Sequence, residues 1–252
     1  KIYLFCMENK SYHSRPLVCI FDSGIGGLNL LAECYRRIPQ ADYMYFADNF
    51  NVPYGNLPAA KINSLVFDIF RQISSFHPSA AVVACNTVTA ECILSLRAKY
   101  AFPILGMEPA LKQAWKRGGK YLVLATEATV NSAGFAKLIK AYGSMAEVFA
   151  LKDLARRIEE GLAHGERIEP ELPSGNYSSV VLGCTHYIFI KKFIKEKYNC
   201  EVYDGISGTA DHLRAVLGIS DHICEKPPEV AFKCGDFAKN KAIFEQLKQN
   251  NN

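Results

Sequence analysis

Ala81-Val82-Val83-Ala84-Cys85-Asn86-Thr87 is an apolar run that ends in a cysteine and two small polar residues. A short continuous run of this kind predicts a strand covered on both faces, as in a parallel sheet. Val180-Val181-Leu182-Gly183-Cys184-Thr185-His186 echoes it, with its cysteine 99 positions further on. Free cysteine is among the most buried residue types, so one such residue would read as packing. Two in parallel settings, each leaving a strand into Asn or Thr, point to function.

The surrounding chain alternates strand and helix patterns. Leu17 to Phe21 is another apolar run, and it opens into Asp22-Ser23-Gly24-Ile25-Gly26-Gly27. Apolar residues at Leu28, Leu31, Tyr35 and Ile38 give the next segment helical spacing. The glycines suit either a tight turn or an anion cradle at a helix N-terminus, and the motif fits neither GxGxxG nor the P-loop. Tyr43 to Phe46 predicts a strand that opens into Asp48-Asn49 and then Pro53-Tyr54-Gly55, a turn-rich loop whose tyrosine covers a core edge or lines a pocket mouth. Helices are expected from Pro58 to about Ile73 and over about 88–99, and strands over 102–105 and 121–125. The second of these strands leads into the hydroxyl cluster Thr126, Thr129 and Ser132, which suits helix capping or carboxylate binding. A helix is expected over about 150–165, then a polar loop and the strand to Cys184. Further elements are a lysine-bearing helix near 191–195, a strand at 202–203, a helix over about 208–217, a strand at 230–232 and a final helix over 237–248.

This alternation predicts the α/β class with mainly parallel sheets. Ser23 and Thr126, each just past a strand, lie 103 apart, close to the cysteine spacing, so two half-chains share one layout. Ligands of open α/β sheets bind beyond the carboxyl ends of the strands, where all four polar endings fall. If the halves face each other, one cavity receives a cysteine from each wall.

Bulk properties narrow the function. With 252 residues, 49% hydrophobic and 21% charged, the chain can build one large core or two ordinary ones. A charge of +4 suits an anionic small molecule, and no basic run with interleaved aromatics suggests nucleic acid. Nine scattered cysteines without CxxC argue against a disulfide framework, common zinc sites and thiol redox chemistry, and for a reducing compartment, the cytoplasm. No stretch approaches a membrane span. Residues 1–16 read as an extension outside the main fold.

Inverting a stereocentre that bears hydrogen requires a proton taken from one face and another delivered to the opposite face. Two thiols, one per face, can do this, provided each acts as base in one direction and acid in the other. A helix N-terminus or nearby cation lowers a thiol pKa, and both cysteines precede expected helices. Asp22 and His186 are the candidate partners for the thiol protons. Ser23, Asn86, Thr87, Thr126, Thr129 and Thr185 are available to steady the carbanion and hold a carboxylate. Alone, His186 would read as a structural histidine.

Phe21-Asp22-Ser23-Gly24-Ile25-Gly26-Gly27-Leu28, Pro53-Tyr54-Gly55, Ala84-Cys85-Asn86-Thr87 and Leu182-Gly183-Cys184-Thr185-His186-Tyr187 resemble, in order, the signature segments of bacterial glutamate racemases. The resemblance runs from about residue 17 to 250. It implies two flavodoxin-like, doubly wound domains related by pseudo-symmetry. The first would hold residues 1–107 plus 208–252, the second 108–207. It implies cofactor-independent interconversion of L- and D-glutamate for peptidoglycan, with no metal, nucleic acid or membrane partner; the oligomeric state, a homodimer included, stays open. Cys85 and Cys184 would be the proton donors and acceptors, assisted by Asp22 and His186. Asp22, Ser23, Pro53, Tyr54, Gly55, Asn86, Thr87, Thr126, Thr129, Thr185 and His186 would hold substrate. The family's functional glutamate in the second half corresponds to Glu159 or Glu160. Departures are the shortened segment at 150–154, Ile188 in place of a frequent proline, and the N-terminal extension. Two other readings remain: a racemase of aspartate or another amino acid, and a non-catalytic anion-binding relative.

Overall fold

The computed structural model of the chain describes residues 15–220 and 226–249. The expected extension therefore lies outside the described residues, except for Arg15 and Pro16. In chain order the described strands are β1 (Leu17–Asp22), β2 (Asp42–Ala47), β3 (Ala80–Val83), β4 (Ile104–Gly106), β5 (Tyr121–Ala125), β6 (Ala146–Ala150), β7 (Ser179–Gly183), β8 (Glu201–Tyr203) and β9 (Val230–Lys233). The helices are α1 (Leu28–Arg37), α2 (Ala59–Ser75), α3 (Asn86–Lys99), α4 (Leu111–Arg117), α5 (Glu127–Val130), α6 (Ala133–Tyr142), α7 (Leu154–Ala163), α8 (Lys191–Tyr198), α9 (Ile206–Val216) and α10 (Phe237–Gln249).

The strands form two parallel sheets, ordered β4-β3-β1-β2-β9 and β6-β5-β7-β8. Leaving out β9, each sheet has the same order when its strands are numbered from its own first: second, first, third, fourth. The duplication read from spacing is thus a repeated topology, in which β1 corresponds to β5 and β3 to β7. The order reverses between β1 and β3, and again between β5 and β7. These are the switch points at which doubly wound folds open a crevice for ligand. Cys85 follows β3 and Cys184 follows β7, so each cysteine stands at a switch point.

Both faces of each sheet are covered, which is why the central strands are apolar without alternation. One face of the first sheet packs Val18, Ile20 and Val82 against Leu28, Leu31, Leu213 and Phe244 from α1, α9 and α10. The other packs Phe21 and Val83 against Val66, Phe70, Val88 and Cys92 from α2 and α3. In the second sheet, Leu122, Leu124 and Val180 meet Leu154, Ile158 and Ile194 of α7 and α8, while Val123 and Val181 meet Leu111, Ala114 and Phe135 of α4 and α6. We call each sheet with its helices a lobe.

Residues 146–150 depart from expectation. The helix expected from about 150 begins at Leu154, and Ala146–Ala150 is strand β6. This strand is the edge of its sheet and none of its residues is fully buried, so its sequence carries no apolar signature. Helix α4 also had no expected counterpart. Among the described residues, no helix is long and apolar enough to cross a membrane.

Candidate active site

Ser23, Pro53, Tyr54, Gly55, Cys85, Asn86, Thr87, Thr126, Cys184, Thr185 and His186 line one cavity, together with Ala155. Residues from both lobes thus share a single closed space. Its volume is about 10 Å³, on the scale of a water and not of an amino acid. Of the expected site residues, Asp22 and Thr129 do not line it. Both are fully buried directly behind the lining.

Among the described residues, two sets of hydrogen bonds cross between the lobes beside the cavity, and a further one runs from Asn56 to Asp153 Oδ1 at an exposed position. In the first, Thr185 donates its hydroxyl to Asp22 Oδ2 at 3.1 Å, while Asp22 Oδ1 accepts from the Gly24 N–H at 2.9 Å. Glu159, on α7, accepts from the Ile25 N–H at 3.1 Å and from Asn49 Nδ2 at 2.8 Å. In the second crossing, the hydroxyl of Thr87 lies 3.1 Å from those of both Thr126 and Thr129, which are 2.9 Å apart. Thr126 also caps α5 by accepting from the Thr129 N–H, so capping and site building fall on one residue.

Gly24 and Gly26 of the Asp22 to Gly27 loop are required by this closure. A Cβ on Gly26 would sit 2.3 Å from Thr185 Oγ1, and one on Gly24 would sit 2.6 Å from Glu159 Oε2. Gly55 faces Thr126 in the same way, at 2.6 Å. None of the three has positive φ, so the need is for space between lobes and not for a special backbone conformation.

The thiols have unlike neighbours. Cys85 is the N-cap residue of α3, with the Ser23 hydroxyl 3.5 Å from its sulfur and the Val88 N–H close enough to favour its thiolate. Burial nevertheless pushes its pKa up to about 12, the charge of Asp22 adding to the effect. Ser23 is the side chain within hydrogen-bonding reach of Cys85, and Asp22 is near enough for its charge to act on the thiol. Cys184 caps a 3-10 helix, Thr185–Ile190, that runs into α8 at Lys191, so the helix N-terminus expected there is of 3-10 form. Its partner is His186, whose Nδ1 lies 4.0 Å from the sulfur.

His186 Nε2 lies 2.8 Å from Glu159 Oε2. Burial opposes charge on this imidazole, but its hydrogen bonds to Cys184 and Glu159 and their charges win and raise its pKa well above the ordinary value. Burial would likewise raise Glu159. The hydrogen bond and charge of His186, then Lys239 and the Ile25 N–H, overcome that and hold it at about 2. The pair is therefore carboxylate and imidazolium. Asp22 goes the other way, raised by burial against the charge of His186 and its two hydrogen bonds. Glu159 is buried against His186 while Glu160 is exposed, so of the two carboxylates Glu159 is the one that reaches the site. Its helical phase was the available signal, since it follows Leu154, Ala155 and Ile158 on the buried face of α7. Asn49 carried no signal, because its partner is 110 positions away.

The pattern of the Asp/Glu/Hydantoin racemase family matches residues 29–213. A glutamate racemase of Clostridium botulinum strain Okra is 37% identical over 230 residues, covering 86% of this chain and 89% of that protein. The structure of Escherichia coli glutamate racemase, in complex with L-glutamate and an activator, is 25% identical with a TM-score of 0.77, covering 92% of this chain and 95% of the other. The RacE1 glutamate racemase of Bacillus anthracis also has 25% identity and a TM-score of 0.77, covering 93% and 94%. With two lobes of repeated topology closing a cysteine from each over one cavity, this chain belongs to the Asp/Glu/hydantoin racemase family and is an amino-acid racemase.

Proposed function

We propose that the enzyme interconverts L- and D-glutamate by proton transfer between Cys85 and Cys184, without a cofactor, and supplies D-glutamate for peptidoglycan in the cytoplasm. The observation that carries this reading is that the two cysteines, one from each lobe, line the same cavity. One sulfur, as thiolate, takes the α-proton and becomes a thiol. The carbon left behind is planar, its charge delocalised into the carboxylate. The other sulfur, initially a thiol, gives its proton to the opposite face and becomes the thiolate. The two transfers balance, and the reverse direction exchanges the roles.

The side chains divide the auxiliary work. His186 can pass a proton to and from Cys184, and Glu159 holds the imidazole as its cation. Ser23 and the Val88 N–H face the Cys85 sulfur. The hydroxyls of Thr87 and Thr126, with Thr129 behind them, offer a neutral donor set for a substrate carboxylate. A cavity of about 10 Å³ admits no glutamate, so the lobes must part for entry and close for chemistry. The same reading divides the chain into a first domain of residues 1–107 plus 208–252 and a second of 108–207.

The test is incubation of the purified enzyme in deuterated water with L-glutamate, D-glutamate and L-aspartate separately. Loss of the α-proton signal with decay of optical activity is expected for both glutamate enantiomers. Exchange with aspartate alone would replace glutamate as the substrate.

A further inference from the structure

The His186–Glu159 pair does not end within its own lobe. Lys239, on the C-terminal helix α10, donates to Glu159 Oε1 at 3.1 Å and to the Glu159 carbonyl at 3.2 Å. Its side chain is largely withdrawn from water, 23% exposed. Asn49 donates to the same Oε1, and is itself held by the Asp236 N–H and Asn240 Nδ2, both at 3.1 Å on Asn49 Oδ1. Asn240 is fully buried. The approach is tightly built, because a Cβ on Gly235, at φ +64°, would sit 2.3 Å from Asn49 Oδ1. Cys234 before it also has positive φ, at +60°, a costly conformation for a residue with a side chain. Asp236 then accepts from the Lys239 N–H, fixing the first turn of α10. Strand β9 carries this turn to the first sheet by pairing with β2.

We propose that Lys239 is a positioning residue for the Cys184 half of the site, holding Glu159 so that Glu159 keeps His186 against the thiol. The proposal rests on the two-thiol reading and extends it. The groups facing Glu159 are His186, from the 3-10 turn, and the Ile25 N–H at Oε2, and Lys239 and Asn49 at Oε1, with Asp22 near enough to feel its charge. Cys85 belongs to a different set of contacts, with Ser23 and Val88. The C-terminal helix thus acts on one thiol and not the other. Removing the ammonium takes a positive charge from beside Glu159, so its carboxylate is protonated more easily and holds the His186 cation less firmly against the thiol.

The test compares wild type, Lys239→Met and Lys239→Arg as full chains. Alkylation of each cysteine by iodoacetamide at about pH 8 is followed by peptide mass spectrometry. In Lys239→Met the ratio of Cys184 to Cys85 labelling is expected to fall at least about threefold. In the same variant kcat for glutamate is expected to fall about tenfold, with its acid limb moved to higher pH and KM little changed. Arginine keeps the charge and should restore the ratio. An unchanged ratio, or an equal change at both cysteines as general loosening would give, overturns the proposal. Wild type that labels as expected but fails to racemise glutamate sinks the substrate assignment and leaves the labelling result standing.

Discussion

The two crossings between the lobes start from corresponding strand ends and carry opposite chemistry. At the end of β1, Asp22 reaches across to Thr185, with Ile25, Glu159 and His186 alongside. At the end of β5, the corresponding strand, Thr126 reaches across to Thr87, with Thr129 behind. One crossing is ionic and able to move protons. The other is neutral and made only of hydroxyls. A repeated scaffold therefore does not give equivalent halves. It gives two anchor points on which one set of side chains handles the thiol proton and the other can receive an anion without repulsion.

The sharpest way to break this comparison is to remove each thiol in turn. Cys85→Ser and Cys184→Ser are each expected to lower racemisation by about 10³-fold or more, since a hydroxyl is a far weaker acid and base near neutral pH. Circular dichroism should be unchanged, because serine is nearly isosteric with cysteine and both side chains line the cavity. Full turnover by either variant would end the two-base scheme. The halves should differ after iodoacetamide treatment. Cys184→Ser leaves Cys85, whose thiol is held at about 12, so labelling at the remaining site residue should be slow at neutral pH.

Glu159→Gln tests the ionic crossing alone. It leaves His186 and Lys239 with a neutral partner in place of the carboxylate, and should lower kcat by about 10²-fold. Its effect on stability has a definite pH dependence. The folded Glu159 value of about 2 lies below its ordinary value, so its contribution is present in full above about pH 4.5 and is lost as pH falls through about 2. The contribution is on the order of 3 kcal/mol, shared with His186 as one interaction. Urea midpoints for wild type and Glu159→Gln should therefore differ at pH 6 and converge towards pH 2. A gap that persists at the lowest pH would assign the loss to packing and not to charge.

What was readable in advance follows from what each feature needs. The central strands announce themselves because burial on both faces forces unbroken apolar runs such as Val180-Val181-Leu182. The two cysteines and the hydroxyls beside them were legible because switch points fall at strand ends, and strand ends are visible in sequence. Edge strand β6 was not, since Glu147 and Phe149 face outward and break the apolar pattern. The choice of Glu159 over Glu160 depended on the phase of α7. Apart from His186, the partners of Glu159 come from loops and a helix 80 to 134 positions away, which no local pattern encodes. The loop glycines were read as turn or anion cradle, whereas Gly24 and Gly26 serve the approach of the opposite lobe.

Thr129→Val probes the neutral crossing and should have the smallest effect. Valine matches the shape of threonine and leaves the backbone N–H that Thr126 caps, so α5 should survive. What is lost is one hydroxyl of a three-membered ring, fully buried behind the cavity wall. Thr87 and Thr126 then lose a common partner, at a cost of about 1 kcal/mol, which is roughly fivefold to tenfold in kcat/KM if the ring orients the substrate carboxylate. The loss should fall mainly on KM, because a carboxylate is held in ground state and transition state alike. The kcat pH profile should not move, because no charged group of the ionic crossing touches this ring. A shifted profile would mean that the two crossings are electrostatically coupled, and the division of labour between the lobes would have to be given up.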